Sequence, residues 1–105
     1  MGKRGRLVEL WKELYNPLVL WRDGYRCVLC DEKAVDVHEI ISKSQFATHE
    51  LGQCITPKNM VSLCRKHHAE VQGNKKASAN LLRLLRDRYG YEYKEQPFKW
   101  YIEEE

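Results

Sequence analysis

Asn59-Met60-Val61-Ser62-Leu63-Cys64-Arg65-Lys66-His67-His68 carries two kinds of metal-binding side chain at helical spacing. Cys64 and His67 are three residues apart, so on a helix they share a face and can grip one ion. His68 is turned by about 100° from His67 and must serve a different site. Two tasks thus fall within a few residues: closing a structural metal knuckle, and reaching into a second, chemical site.

Upstream, Cys27 and Cys30 have the two-residue gap that lets both sulfurs meet one tetrahedral ion. With Cys64 and His67 they make three thiolates and one imidazole. That set suits structural zinc with four protein ligands and no open position. The plainer alternative is reduced core cysteines and a surface histidine. Cys54 has no partner at metal spacing and reads as a buried or spare thiol, ahead of an all-thiolate site in which it replaces His67.

A chain of 105 residues is one domain, small enough for a metal to be a useful supplement to its core. No apolar run approaches the roughly 20 residues of a membrane helix. Lys3, Arg4 and Arg6 are followed by Val8-Glu9-Leu10, which is no signal-peptide core, so an intracellular protein is expected. There, four cysteines read as ligands before they read as disulfides. The net charge of +3 (18 Lys and Arg against 15 Asp and Glu) becomes +6 with Glu103, Glu104 and Glu105 set aside. Basic residues at the start of the chain, around Lys58, Arg65 and Lys66, and at Lys75, Lys76, Arg83, Arg86 and Arg88 favour a polyanionic partner, or else a solvated helix face.

Leu7, Leu10, Trp11, Leu14 and Tyr15 recur at helical spacing and predict a helix that breaks at Asn16-Pro17. Pro17 then opens a second short helix, with Leu18, Leu20 and Trp21 apolar and Gly24 as its stop. The aromatic residues of both read as core. Residues 35–41 are β-branched and predict a strand, and 42–57 a long loop, of a length that is usually functional. Met60–Leu63 predicts a second strand running into a helix that starts near Cys64 and ends at Gly73-Asn74. A further helix is expected from Ala77 to about Tyr89, with Leu81, Leu82, Leu84 and Leu85 buried and Gly90 as its stop. The aromatic tail is expected to pack back on the core, in part as an edge strand.

His38, Glu39, Asn59 and His68 form the second constellation: a strand carrying His38-Glu39 and a helix carrying His68 can converge on one divalent ion. The order Cys27-x-x-Cys30, His38-Glu39-Ile40, Asn59, Leu63-Cys64-x-x-His67-His68 resembles the HNH endonuclease family, over about residues 24–73. The resemblance implies an α+β chain with a small ββα-metal (His-Me finger) core and a zinc knuckle. Helical flanks at 5–23 and 77–90 complete a single domain of residues 1–105. It implies that His38, Asn59 and His68 serve the catalytic metal, with Asn59 either orienting the site or joining the coordination. His38 and Glu39 stand where family members usually have Asp-His or His-His, a ligand followed by the general base.

Glu39 is a departure from that pattern. Glutamate is ordinarily a weaker base than histidine by about two pKa units, so the base is left open between Glu39 and His38. The implied activity is divalent-metal-dependent hydrolysis of phosphodiester bonds in duplex DNA, with Mn²⁺ or Mg²⁺ expected and Zn²⁺ or Ni²⁺ also suited to the ligands. Lys43, Lys58, Arg65 and Lys66 are the candidates for phosphate contacts. One such site cuts one strand per encounter, so a monomer should nick DNA with low sequence specificity, and double-strand cleavage needs a dimer or two events. The rival readings are a zinc-knuckle module that binds nucleic acid without catalysis, and a structural subunit of a phage or mobile-element machine.

Overall fold

The computed structural model describes residues 3–103, and within them the chain is a small α+β protein with two antiparallel strands and five α-helices. Glu104 and Glu105 of the acidic tail lie outside the described residues, as do the side chains of Lys3 and Arg4.

Helix α1 (Lys3–Arg22) is continuous, where the sequence predicts two helices broken at Pro17. Proline removes one backbone hydrogen bond and crowds the preceding turn. Here Pro17 lies on the exposed side, while Val8 and Trp11 before it and Val19 after it pack on the same core. Packing on both sides of the proline therefore overrides the local break. Gly24 and Tyr25, at φ +66° and +61°, then turn the chain sharply out of the helix.

Strands β1 (Asp36–Glu39) and β2 (Met60–Leu63) pair antiparallel, Asp36 opposite Leu63 and His38 opposite Val61. All four residues of β2 are buried, which fits a strand enclosed on both faces. Side chains alternate along β1. Asp36 and His38 turn to helix α3 (Arg65–Val71), while Glu39 turns to α1, where it meets Lys12. Residues 42–57 are more ordered than a loop: short 3₁₀ turns flank α2 (Leu51–Cys54), and Phe46, Leu51, Cys54 and Ile55 are buried. Helix α4 (Lys75–Tyr89) buries Leu81, Leu82 and Leu85 and ends at Gly90 in the left-handed conformation, φ +78°. The tail forms helix α5 (Phe98–Glu103) in place of an edge strand, with Phe98 buried against Phe46 and Tyr93.

Arg22 and Asp23 fasten α1 to the rest. The Arg22 guanidinium donates to Asp23 (2.9 and 3.0 Å) and to the carbonyls of Pro57 and Met60 (2.8 and 2.7 Å). Asp23 accepts in turn from the Ser62 amide (3.0 Å) and the Tyr89 hydroxyl (2.6 Å). Burial works to raise the Asp23 carboxyl, but the Arg22 fork and the Tyr89 hydroxyl outweigh it and hold it below the usual carboxylate range. Removing one member of such a pair strands the other. Asp23→Ala should therefore cost about 3–5 kcal/mol in urea denaturation of the metal-loaded protein; a loss below about 1 kcal/mol would mean that the pair is no clamp.

Candidate functional site

A tight turn and a helix start build the knuckle. Between Cys27 and Cys30 the chain reverses: the Cys27 amide donates to the Glu32 carbonyl (2.7 Å), the Asp31 amide donates to the Cys27 carbonyl (2.9 Å), and Asp31 adopts φ +65°. Cys64 is the N-cap of α3, its sulfur accepting from the His67 amide at 3.5 Å. An N-cap side chain and the residue three positions later meet at the first turn of a helix. The capping geometry thus brings Cys64 and His67 together before any metal is considered.

Cys30 Sγ lies 3.8 Å from Cys64 Sγ, Cys27 Sγ lies 3.7 Å from His67 Nδ1, and Cys64 Sγ lies 3.2 Å from the same nitrogen. All four ligand atoms fall within 4.8 Å of one another. A tetrahedron with metal–sulfur arms of about 2.3 Å has edges of about 3.8 Å, so these separations fit a zinc-sized ion. The other ring nitrogen of His67 faces Glu70 at 3.8 Å, a partner that favours metal at Nδ1. Burial opposes ionisation of Cys27, but backbone amides of Cys64, Leu29 and Cys30 outweigh it and bring that thiol down to about 7. The Glu32 amide favours the Cys30 thiolate, yet desolvation and the sulfurs of Cys27 and Cys64 push it up to about 11. Sulfurs that resist joint ionisation are what a central cation would relieve. Cys54 takes no part: it is fully buried, with its sulfur 3.7 Å from the Ile41 carbonyl oxygen.

His68 leaves α3 about 100° round from His67. Its ring meets that of His38 edge to face, centroids 5.0 Å apart, and its Nδ1 lies 3.0 Å from Asp36 Oδ2. Asp36 also accepts from Arg65 Nε at 3.1 Å, and the His68 ring and Arg65 guanidinium together hold its carboxyl below the usual range. Sequence reasoning missed Asp36. Its position two residues before His38 on a strand was the available signal, since i and i+2 share a face. Burial, and after it the charge on His68, lowers the His38 imidazole to about 4. His38 is therefore neutral near pH 7, and its buried Nε2 has no hydrogen-bond partner among the described residues.

His38, Glu39 and His68 border one cleft of about 570 Å³, with Lys12, Lys43 and Lys75 also on its walls. Glu39 is held there by Lys12, Nζ to Oε1 2.8 Å. Asn59 is not in the cleft. It is fully buried, accepting from the Ile41 amide (2.9 Å) and donating to the carbonyls of Ile41 (3.0 Å) and Cys54 (2.9 Å). These bonds pin the end of β1 to the entry of β2. The basic candidates also separate. Lys43 lies at the cleft and Lys66 is exposed on α3. Arg65 is shared with Asp36, and Lys58 is engaged with Glu95 at 2.8 Å.

Metal analysis of the purified chain should find about one zinc per molecule, lost in Cys64→Ser and Cys30→Ser and kept in Cys54→Ser. Retention in Cys64→Ser would exclude the tetrahedral set. Asn59→Ala should lower stability by about 3 kcal/mol, because it takes the acceptor from the Ile41 amide and a donor from each of two carbonyls; a thermal melt unchanged from wild type would remove Asn59 from this role. No family model, curated protein or solved structure matches this chain.

Proposed function

We propose that this chain is a metal-dependent endonuclease of the HNH type, hydrolysing phosphodiester bonds in DNA and nicking one strand of a duplex per encounter with little sequence preference. The observation that carries the reading is the pair of imidazoles, His38 from β1 and His68 from α3, converging on one cleft while the knuckle fixes the phase of the helix.

The donor set fits a divalent cation such as Mn²⁺ or Mg²⁺. His38 is neutral near pH 7 and its Nε2 has no partner among the described residues, which is the state a metal-binding imidazole needs. Asp36 engages Nδ1 of His68 and leaves the other ring nitrogen for a ligand, the usual division of labour at metal-bound histidines. A cation held by His38 and His68 would polarise the phosphoryl group and offset charge on the leaving oxygen. Proton transfer from the attacking water then falls to Glu39, since His38, as a ligand of that cation, has no lone pair left to accept a proton. Lys12 orients that carboxylate, and Lys43 offers a contact to the phosphate backbone. Asn59 acts from behind by fixing the loop that follows His38.

The Lys12–Glu39 ion pair favours a second reading. A carboxylate tied up by an ammonium group is a poor base, and a zinc-knuckle module that binds nucleic acid without cutting it has no need of one.

Zinc-loaded protein supplied with Mn²⁺ or Mg²⁺ should convert supercoiled plasmid to nicked circles, with linear product appearing late. His68→Ala should slow this by roughly a hundredfold or more, and Asp36→Asn by about ten- to a hundredfold. Wild type and His68→Ala that are equally inert with every metal, yet both retain zinc and retard DNA on a gel, would establish the binding module instead.

A further inference from the structure

Helix α1 has a second apolar face that the fold does not cover. Leu7, Leu10, Leu14, Leu18 and Trp21 are 43%, 54%, 61%, 53% and 71% exposed, although the residues that pack on the core come from the adjoining face of the same helix. At about 100° per residue these five form a single stripe. Together they expose on the order of 550 Å² of largely apolar surface, at the upper end for the largest patch on a typical monomer, a patch that is often functional.

The spacing identifies the occupant. Measured from Leu14, the other four lie at −7, −4, +4 and +7 residues, so the stripe reads the same in both directions. A two-fold interface requires a patch that is complementary to itself. Antiparallel pairing across Leu14 sets Leu10 against Leu18 of the other copy and Leu7 against Trp21. Covering both stripes removes up to about 1,100 Å² from water, just above the roughly 1,000 Å² that a specific interface needs. The stripe itself carries no charge, which disfavours DNA as its occupant, and α1 is not long and apolar enough to cross a membrane.

We infer that α1 is a homodimerisation helix, pairing antiparallel with a second copy of this chain about a two-fold axis at Leu14. The proposal is independent of the reaction assigned to the cleft. Sedimentation equilibrium of the zinc-loaded full chain should show reversible association from 12.5 kDa to twice that mass, at concentrations on the order of 10 µM. Leu14→Lys should weaken association at least a hundredfold while zinc content and far-ultraviolet circular dichroism stay at wild-type values.

Leu10→Glu with Leu18→Lys in one chain should still associate, because opposite charges face each other across an antiparallel pair; Leu10→Glu with Leu18→Glu should not. A wild type that is monomeric at 200 µM (roughly twentyfold above that midpoint) overturns the proposal. So does a dimer indifferent to Leu14→Lys, or one in which both double variants dissociate alike. A monomer that instead sediments with phosphatidylcholine–phosphatidylserine vesicles also overturns it, and assigns the stripe to a membrane surface.

Discussion

Cys64 does two things at once, and most of the structure depends on them. As N-cap of α3 it sets where the helix begins, and as one of four converging ligand atoms it sets which way the helix faces. Once Cys64 and His67 are fixed against Cys27 and Cys30, His68 has no freedom left, because it follows His67 by one helical step of about 100°. That step carries it to Asp36 and His38 on β1. The knuckle and the cleft are therefore two consequences of one helix start, separated by a single residue.

The sheet supplies the matching constraint from the other side. In β1, Asp36 and His38 share the face toward α3, and Glu39 takes the face toward α1. The antiparallel register with β2 holds the strand in place, and Asn59 locks its exit by hydrogen bonds to Ile41 and Cys54. A shift of one residue in this register would exchange His38 for Glu39 against His68. The buried amide is thus as much a part of the cleft's geometry as the side chains that line it.

Features fixed by short-range spacing were legible in the sequence. The paired ligands of the knuckle, β2 at Met60–Leu63 and the glycine stop of α4 all follow from neighbours within a few residues. Features fixed by partners far along the chain were not. Asp36 acquires its role only when α3 lies beside β1, 32 residues away in sequence. The segment after β1 has no simple period, so its short helices are visible only once Phe46, Leu51 and Ile55 find the core. Periodicity in α1 marked its apolar positions but not which were covered. Trp21, expected in the core, is 71% exposed, and the helix passes through Pro17 because packing on either side of it outweighs one lost hydrogen bond.

Helix α1 joins these levels, because three of its faces are occupied differently. Val8, Trp11 and Val19 bind it to the core, and the leucine stripe with Trp21 faces outward. On the side away from that stripe, Lys12 reaches into the cleft to hold Glu39. The Arg22–Asp23 clamp fixes the C-terminal end of the helix to β2 and α4, so the position of Lys12 is set by a rigid lever and not by a loose side chain alone. Anything that grips the outer stripe restrains the same lever. Glu39, which borders the same cleft as the two histidines, is thus tied through Lys12 to the helix that carries the outer stripe.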